Sequence, residues 1–247
     1  MELTDVLVLG MPISCGELGI IYQPTIEELV GYGDYISIFY PFMVSKKLFA
    51  EEISTSVELE DYDLLFLINP DGSLMLNGSK NNSLLEDLVT SLKFLYRTDK
   101  VKLVFEEQRI EIDETINITR NNYKMLCDIV LQMSQKERLE KEEELHFKSK
   151  RKKALHEKIE RYRAETRRRN AILLGDMINT LLINTVRGFS YQEIKQMTMW
   201  QLYNNYSQIM SIDNHEQMMK YKVSEKYNVE DEIKHWSKVN KMQRIII

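Results

Sequence analysis

Two carboxylates are the first candidates for chemistry. Glu111 and Asp113 lie two residues apart in the β-like run Arg109–Asp113. Strand geometry puts them on one face, where a carboxylate pair can hold a cation. The plainer reading is a solvated strand edge, on which charge blocks unwanted pairing. The four histidines are His146, His156, His215 and His235. They form no HExxH, and no CxxC or Cys/His cluster has zinc spacing. There is no GxGxxG, no GxxxxGK[ST] and no GxSxG. The chain therefore has no phosphate cradle of known type and no nucleophile elbow. No catalytic, cofactor-binding or metal-binding set emerges, and none is expected.

Cys15 and Cys127 are far apart in sequence. A secreted disulfide framework needs more cysteines at tighter spacing, so both read as free thiols in a reducing compartment. Cys127 sits in the apolar segment Tyr123–Met133 and reads as a small buried hydrophobe. Cys15, beside Gly16, has no neighbouring His or Asn pattern to make it a nucleophile.

The densest charge is basic. Phe147–Asn170 carries eleven Lys and Arg against three Glu, and ends in Arg161, Arg163, Arg167, Arg168 and Arg169. Such a strip can neutralise phosphates, with Phe147 and Tyr162 available to stack on bases. A charge run is more often a solvated helix face, and Glu140–Glu144 would repel nucleic acid close by. An acidic protein surface fits the strip better than nucleic acid does. Net charge over the whole chain is −5, which argues against a general polyanion binder.

Trp200, Tyr203 and Tyr206 recur at helical spacing. Core packing is the default, but aromatics and Met are also what protein interfaces use. Thirteen methionines extend that theme towards adaptable apolar surfaces. With the arginines above, these three aromatics make the candidate partner-binding set.

The elements that must position these residues are mostly helices. Nine Gly and four Pro in 247 residues leave few tight turns, which favours helices over a sandwich or barrel. Leu7-Val8-Leu9 and Ile20-Ile21-Tyr22 read as strands of a hairpin. Thr25 and Glu28 have capping-box spacing and open a helix. A second helix over 34–42 is expected to stop at Pro41. Residues 57–69 read as helical up to the turn Asn69-Pro70-Asp71-Gly72. Ser83 and Glu86 open a helix to about Tyr96. Val101–Phe105 and Arg109–Asp113 form a hairpin, and Thr119 caps the next helix. Further on, Ala171–Thr185 is an apolar helix. Ser190 with Glu193 and Thr198 with Gln201 cap two more, and Asn228 caps a last one containing Ile233 and Trp236. The terminal Ile245-Ile246-Ile247 is apolar and either docked or sticky.

This pattern predicts a mainly α chain with a small β component. An α+β N-terminal domain over 1–133 is joined by a long charged helical linker over 134–170 to a helical C-terminal domain over 171–247. No stretch approaches the ~18 apolar residues of a membrane span. The start carries Glu2 and Asp5 where a secretion signal needs positive charge. A cytosolic protein without membrane contact is expected.

Several stretches resemble the tail assembly chaperones of tailed bacteriophages that infect Gram-positive bacteria. They are IYQPTIEELVGYGDYISIFYPF, DYDLLFLINPDGSLML and IEIDETINITRNNYKMLCDIV, then LLGDMINTLLINT, MTMWQLYNNYSQI and DEIKHWSK. The resemblance runs over most of the chain. It implies a non-enzymatic role in the host cytoplasm during virion morphogenesis, engaging the tape-measure or tail-tube protein. It carries no catalytic residues to transfer. The basic strip exceeds what the resemblance requires. A structural virion component, or a nucleic-acid-binding protein using 147–169, therefore stands as the alternative.

Overall fold

The computed structural model describes residues 2–45, 60–66, 84–136, 173–183, 188–224 and 235. Within these the protein is mainly α-helical, with two small antiparallel sheets. The charged segment from 137 to 172, the turn at Asn69-Pro70-Asp71-Gly72, the cap residues Ser83 and Asn228, Trp236 and the terminal isoleucines lie outside the described residues.

The chain opens with helix α1 (Leu3–Leu9), where a strand was expected at Leu7-Val8-Leu9. The reason is local. Glu2 and Asp5 satisfy each other's backbone amides in a capping box, and Leu3, Val6 and Leu7 bury one helical face. Gly10 ends the helix in the left-handed conformation, φ 65°. A side chain there would also crowd Gln201, whose Nε2 would stand 3.0 Å from the added Cβ. The first hairpin is instead β1 (Ile13–Ser14) with β2 (Ile20–Ile21), in register Ile13↔Ile21. Buried Gln23 ties this region to α1 by donating to the carbonyls of Val6 and Met11.

Helix α2 (Ile26–Tyr32) starts at Thr25 with the expected Glu28 capping box. Helix α3 (Tyr35–Met43) runs through Pro41 instead of stopping there. Proline forfeits only one amide, towards Ser37, and Ile38, Phe39 and Phe42 are buried deeply enough to hold the last turn. Of the helix expected over 57–69, the described part contains a 3₁₀ turn, Asp63–Phe66. Helix α4 (Leu84–Tyr96) buries Leu85, Leu88, Leu92 and Leu95, spaced three and four apart.

The expected second hairpin is present as β3 (Val101–Val104) and β4 (Arg109–Ile112). A third strand, β5 (Ile116–Ile118), extends it in the order β3-β4-β5. Ile110, Ile112 and Ile118 turn inward and are fully buried. Helix α5 (Arg120–Ser134) follows its Thr119 cap. Asn122 accepts from the Thr119 amide and donates to the Asn117 carbonyl, which joins β5 to the helix. Gln135 ends α5 in the left-handed conformation, so the helix does not run on into the charged segment.

The remaining helices among the described residues are α6 (Leu174–Ile183), α7 (Tyr191–Gln196) and the 25-residue α8 (Met199–Val223). Both predicted capping boxes, Ser190/Glu193 and Thr198/Gln201, are formed. Their buried residues, from Met177 to Ile209, join one hydrophobic cluster with the core of residues 3–133.

Candidate protein-binding surface

Helix α8 has two unlike halves. Its first half is held by the core: Met199, Trp200, Leu202 and Ile209 are buried. After Ile209 no residue of the helix is buried. Tyr203, Tyr206, Met210 and Tyr221 recur near multiples of 3.6 residues and therefore share a face. That face begins half-buried at Tyr203 and Tyr206 and continues exposed, with Met210 at 44 % and Tyr221 at 43 %. Lys220 and Lys222 in the last turn complement the negative end of the helix dipole.

This places each predicted partner-binding residue. Trp200 is only 6 % exposed and belongs to the core. Tyr203 and Tyr206 pack against the core with part of each ring in water. Burial, with Tyr35 nearby, pushes the Tyr203 phenol above its ordinary range. Arg161, Arg163, Arg167, Arg168 and Arg169 lie outside the described residues. Met210 and Tyr221 extend the stripe; the sequence pattern puts Met210 on the apolar side of this helix, but neither residue is in the predicted partner-binding set. The signal was available, since the same period carries on from Tyr203.

The carboxylate pair is already engaged. Glu111 accepts an ion pair from Arg109 at 3.5 Å, and Asp113 accepts from the Thr98 hydroxyl at 2.6 Å. Asp113 also lies past the end of β4, with positive φ, so the pair is not on one strand face. Among the described residues, no group of three or more His, Cys, Asp or Glu is placed to hold a metal. Both cysteines are buried and neither is in a disulfide, and burial pushes the Cys15 thiol up.

One cleft of ligand size lies elsewhere. It encloses about 310 Å³ between Tyr22, Pro24, Glu28, Lys93, Phe94 and Arg97. The Arg97 guanidinium stacks 4.7 Å above the Tyr22 ring and pairs with Glu28 at 2.8 Å. Arg97 and Glu28 are both substantially exposed in this pair, at 50 % and 39 % of their side-chain surface, and Lys93 adds a second cation to the cleft. Among the described residues, no helix is long and apolar enough to cross a membrane.

Residues 165–241 match the model of a family described as the YomV second domain. That family is phage-derived, so this part of the chain is similar to a phage protein. No curated protein and no solved structure gives a match. The matched stretch includes α6, α7 and all of α8.

Proposed function

We propose that this chain is a non-enzymatic assembly chaperone or adaptor. It acts in the cytoplasm of an infected host and binds the tape-measure or tail-tube protein during tail assembly. One observation carries the reading. The part of the chain similar to a phage-derived family contains a helix whose second half leaves the core and presents Met210 and Tyr221 in line with Tyr203 and Tyr206. Met and Tyr supply adaptable contact area of the kind used to hold a partner reversibly. The basic strip 147–169 supplies charge for an acidic partner surface.

The test is capture from infected cells with the tagged chain, followed by identification of what it holds. Wild type should retain tape-measure or tail-tube protein. A Met210→Lys/Tyr221→Lys variant of unchanged thermal stability should lose it. Stoichiometric recovery of the chain in purified particles would favour the structural alternative. DNA binding that weakens steeply with salt, and disappears when Arg161, Arg163, Arg167, Arg168 and Arg169 become Ser, would favour the nucleic-acid alternative.

A further inference from the structure

The cleft of about 310 Å³ beside Arg97 lies between elements that are fastened to each other. The Tyr22 amide donates to the Leu95 carbonyl at 2.9 Å, which ties the end of β2 to α4. The Phe94 ring is steadied from α2 by Tyr32, tilted against it with centroids 5.6 Å apart. Glu28 is held at both oxygens. Its Oε1 takes Arg97, and its Oε2 accepts from the amide and the hydroxyl of Thr25. Pro24 is buried and Tyr22 and Phe94 are half-buried, whereas Glu28 and Arg97 are exposed, so the apolar lining lies deeper than the charged one. Arg97 stands just past α4 in the left-handed conformation, φ 55°, where glycine is the usual residue. A glycine there would relieve the backbone but remove the guanidinium from the cleft.

We propose that this cleft binds a monocarboxylate with an aromatic body, its ring against Phe94 and Pro24 and its carboxylate between Lys93 and Arg97. Charge selects the sign. The lining carries two cations, Lys93 and Arg97, against one anion, Glu28, so one positive charge is in excess. Among the described residues the Lys93 ammonium has no ion-pair partner. A phosphate monoester would bring roughly −1.5 to −2 charges, more than one spare cation matches, and would face Glu28. Size selects the body. About 300 Å³ is the lower end of small-molecule sites, which suits a single aromatic group. The carboxylate can belong to a free acid or to the last residue of a polypeptide, since the chemistry is the same. The cleft lies outside residues 165–241, and the inference does not rest on the chaperone reading.

Amide NMR of the full-length, isotope-labelled chain tests the site. The probes are phenylacetate, its uncharged amide phenylacetamide, and a glycine peptide ending in phenylalanine with a free carboxylate. Phenylacetate should give saturable shifts at Tyr22, Phe94 and Arg97. Phenylacetamide should bind about tenfold more weakly, for want of the charge-assisted contact. Lys93→Met keeps the stem and removes the charge. It should weaken phenylacetate about tenfold at an unchanged thermal midpoint, and Lys93→Arg should restore the affinity. If Lys93→Met does not fold, the comparison of acid with amide decides alone. Saturation of the same amides by the peptide assigns the ligand to the end of a protein chain, and saturation by phenylacetate alone assigns it to a small molecule. No saturation by any probe, equal binding of acid and amide, or wild-type affinity in folded Lys93→Met overturns the proposal.

Discussion

The amide of Ile26 donates a 2.8 Å hydrogen bond to the carbonyl of Met197. Both residues adjoin helix caps, and the caps themselves, Thr25 and Thr198, form an antiparallel bridge. The first turns of α2 and α8 are thus locked side by side. The Ile26 amide is one of the orphan donors of a helix start, and here a distant carbonyl satisfies it. Around this junction Glu27 takes Lys195 at 3.2 Å and Gln196 at 3.1 Å, and Gln201 donates to the Val8 carbonyl at 2.8 Å.

Gln201 is the residue to change first. Its Oε1 accepts from the Thr198 amide in the capping box, while its Nε2 reaches Val8. Glutamate would keep the cap and turn a second oxygen towards the Val8 carbonyl. Gln201→Glu should therefore cost about 0.5–1.5 kcal/mol, the net worth of one lost hydrogen bond. Thr198→Ala should cost about 1 kcal/mol through the lost cap. Urea denaturation measures both. A Gln201→Glu midpoint equal to wild type would mean that the Val8 contact contributes nothing.

The same junction makes a prediction about cleavage. The segment 137–172 offers trypsin a dense run of Lys and Arg. The pieces on either side share one hydrophobic cluster, in which Leu202 and Met199 join Leu7 and Leu126. A chain nicked there should elute as one particle in native size exclusion and separate only in denaturant. Pieces that part without denaturant would show that the shared cluster does not hold them together.

The helix starts at Thr25, Thr119, Ser190 and Thr198 were legible because a capping box is written within four residues. The β3–β4 hairpin was legible for the same local reason. Where a segment was short, tertiary context decided. Leu7-Val8-Leu9 has no period long enough to separate strand from helix, and the Glu2/Asp5 cap settles it. Ile116-Asn117-Ile118 is too brief to announce a third strand, yet it completes the sheet by pairing with β4. For the candidate surface, periodicity placed Trp200, Tyr203 and Tyr206 on α8 but could not say where the core stops. Trp200 falls inside it, and Met210 lies beyond. The Ile26–Met197 and Gln201–Val8 bonds had no local signal at all, because each joins residues from opposite ends of the chain.

The two thiols should be silent in the native protein. Cys15 and Cys127 are both buried, and the raised Cys15 thiol is short of the reactive thiolate at neutral pH. A colorimetric thiol reagent should count two groups in denaturant. Without denaturant it should react on the order of 100-fold more slowly, at the pace of local opening. Rapid labelling of either cysteine in the native state would contradict its burial.

Alkaline pH should destabilise the fold through Tyr96. Its hydroxyl donates to the Leu18 carbonyl at 2.9 Å, joining α4 to the loop of the first hairpin. Burial, and then the neighbouring Cys15, push its phenol well above the ordinary range. The sign follows from proton counting. Above about pH 10 the unfolded chain loses a proton that the native Tyr96 keeps, so the native state binds more protons and stability falls as pH rises. The stabilisation is complete below about pH 10 and drains away above it. Tyr62, raised by burial and by Asp63, adds to the same limb. Tyr96→Phe should cost about 1–3 kcal/mol near neutral pH by orphaning the Leu18 carbonyl. It should also flatten the alkaline limb, leaving the part due to Tyr62 and Tyr203. Urea midpoints measured across the tyrosine range read both effects. An equally steep limb in the variant would show that Tyr96 is not the group that titrates.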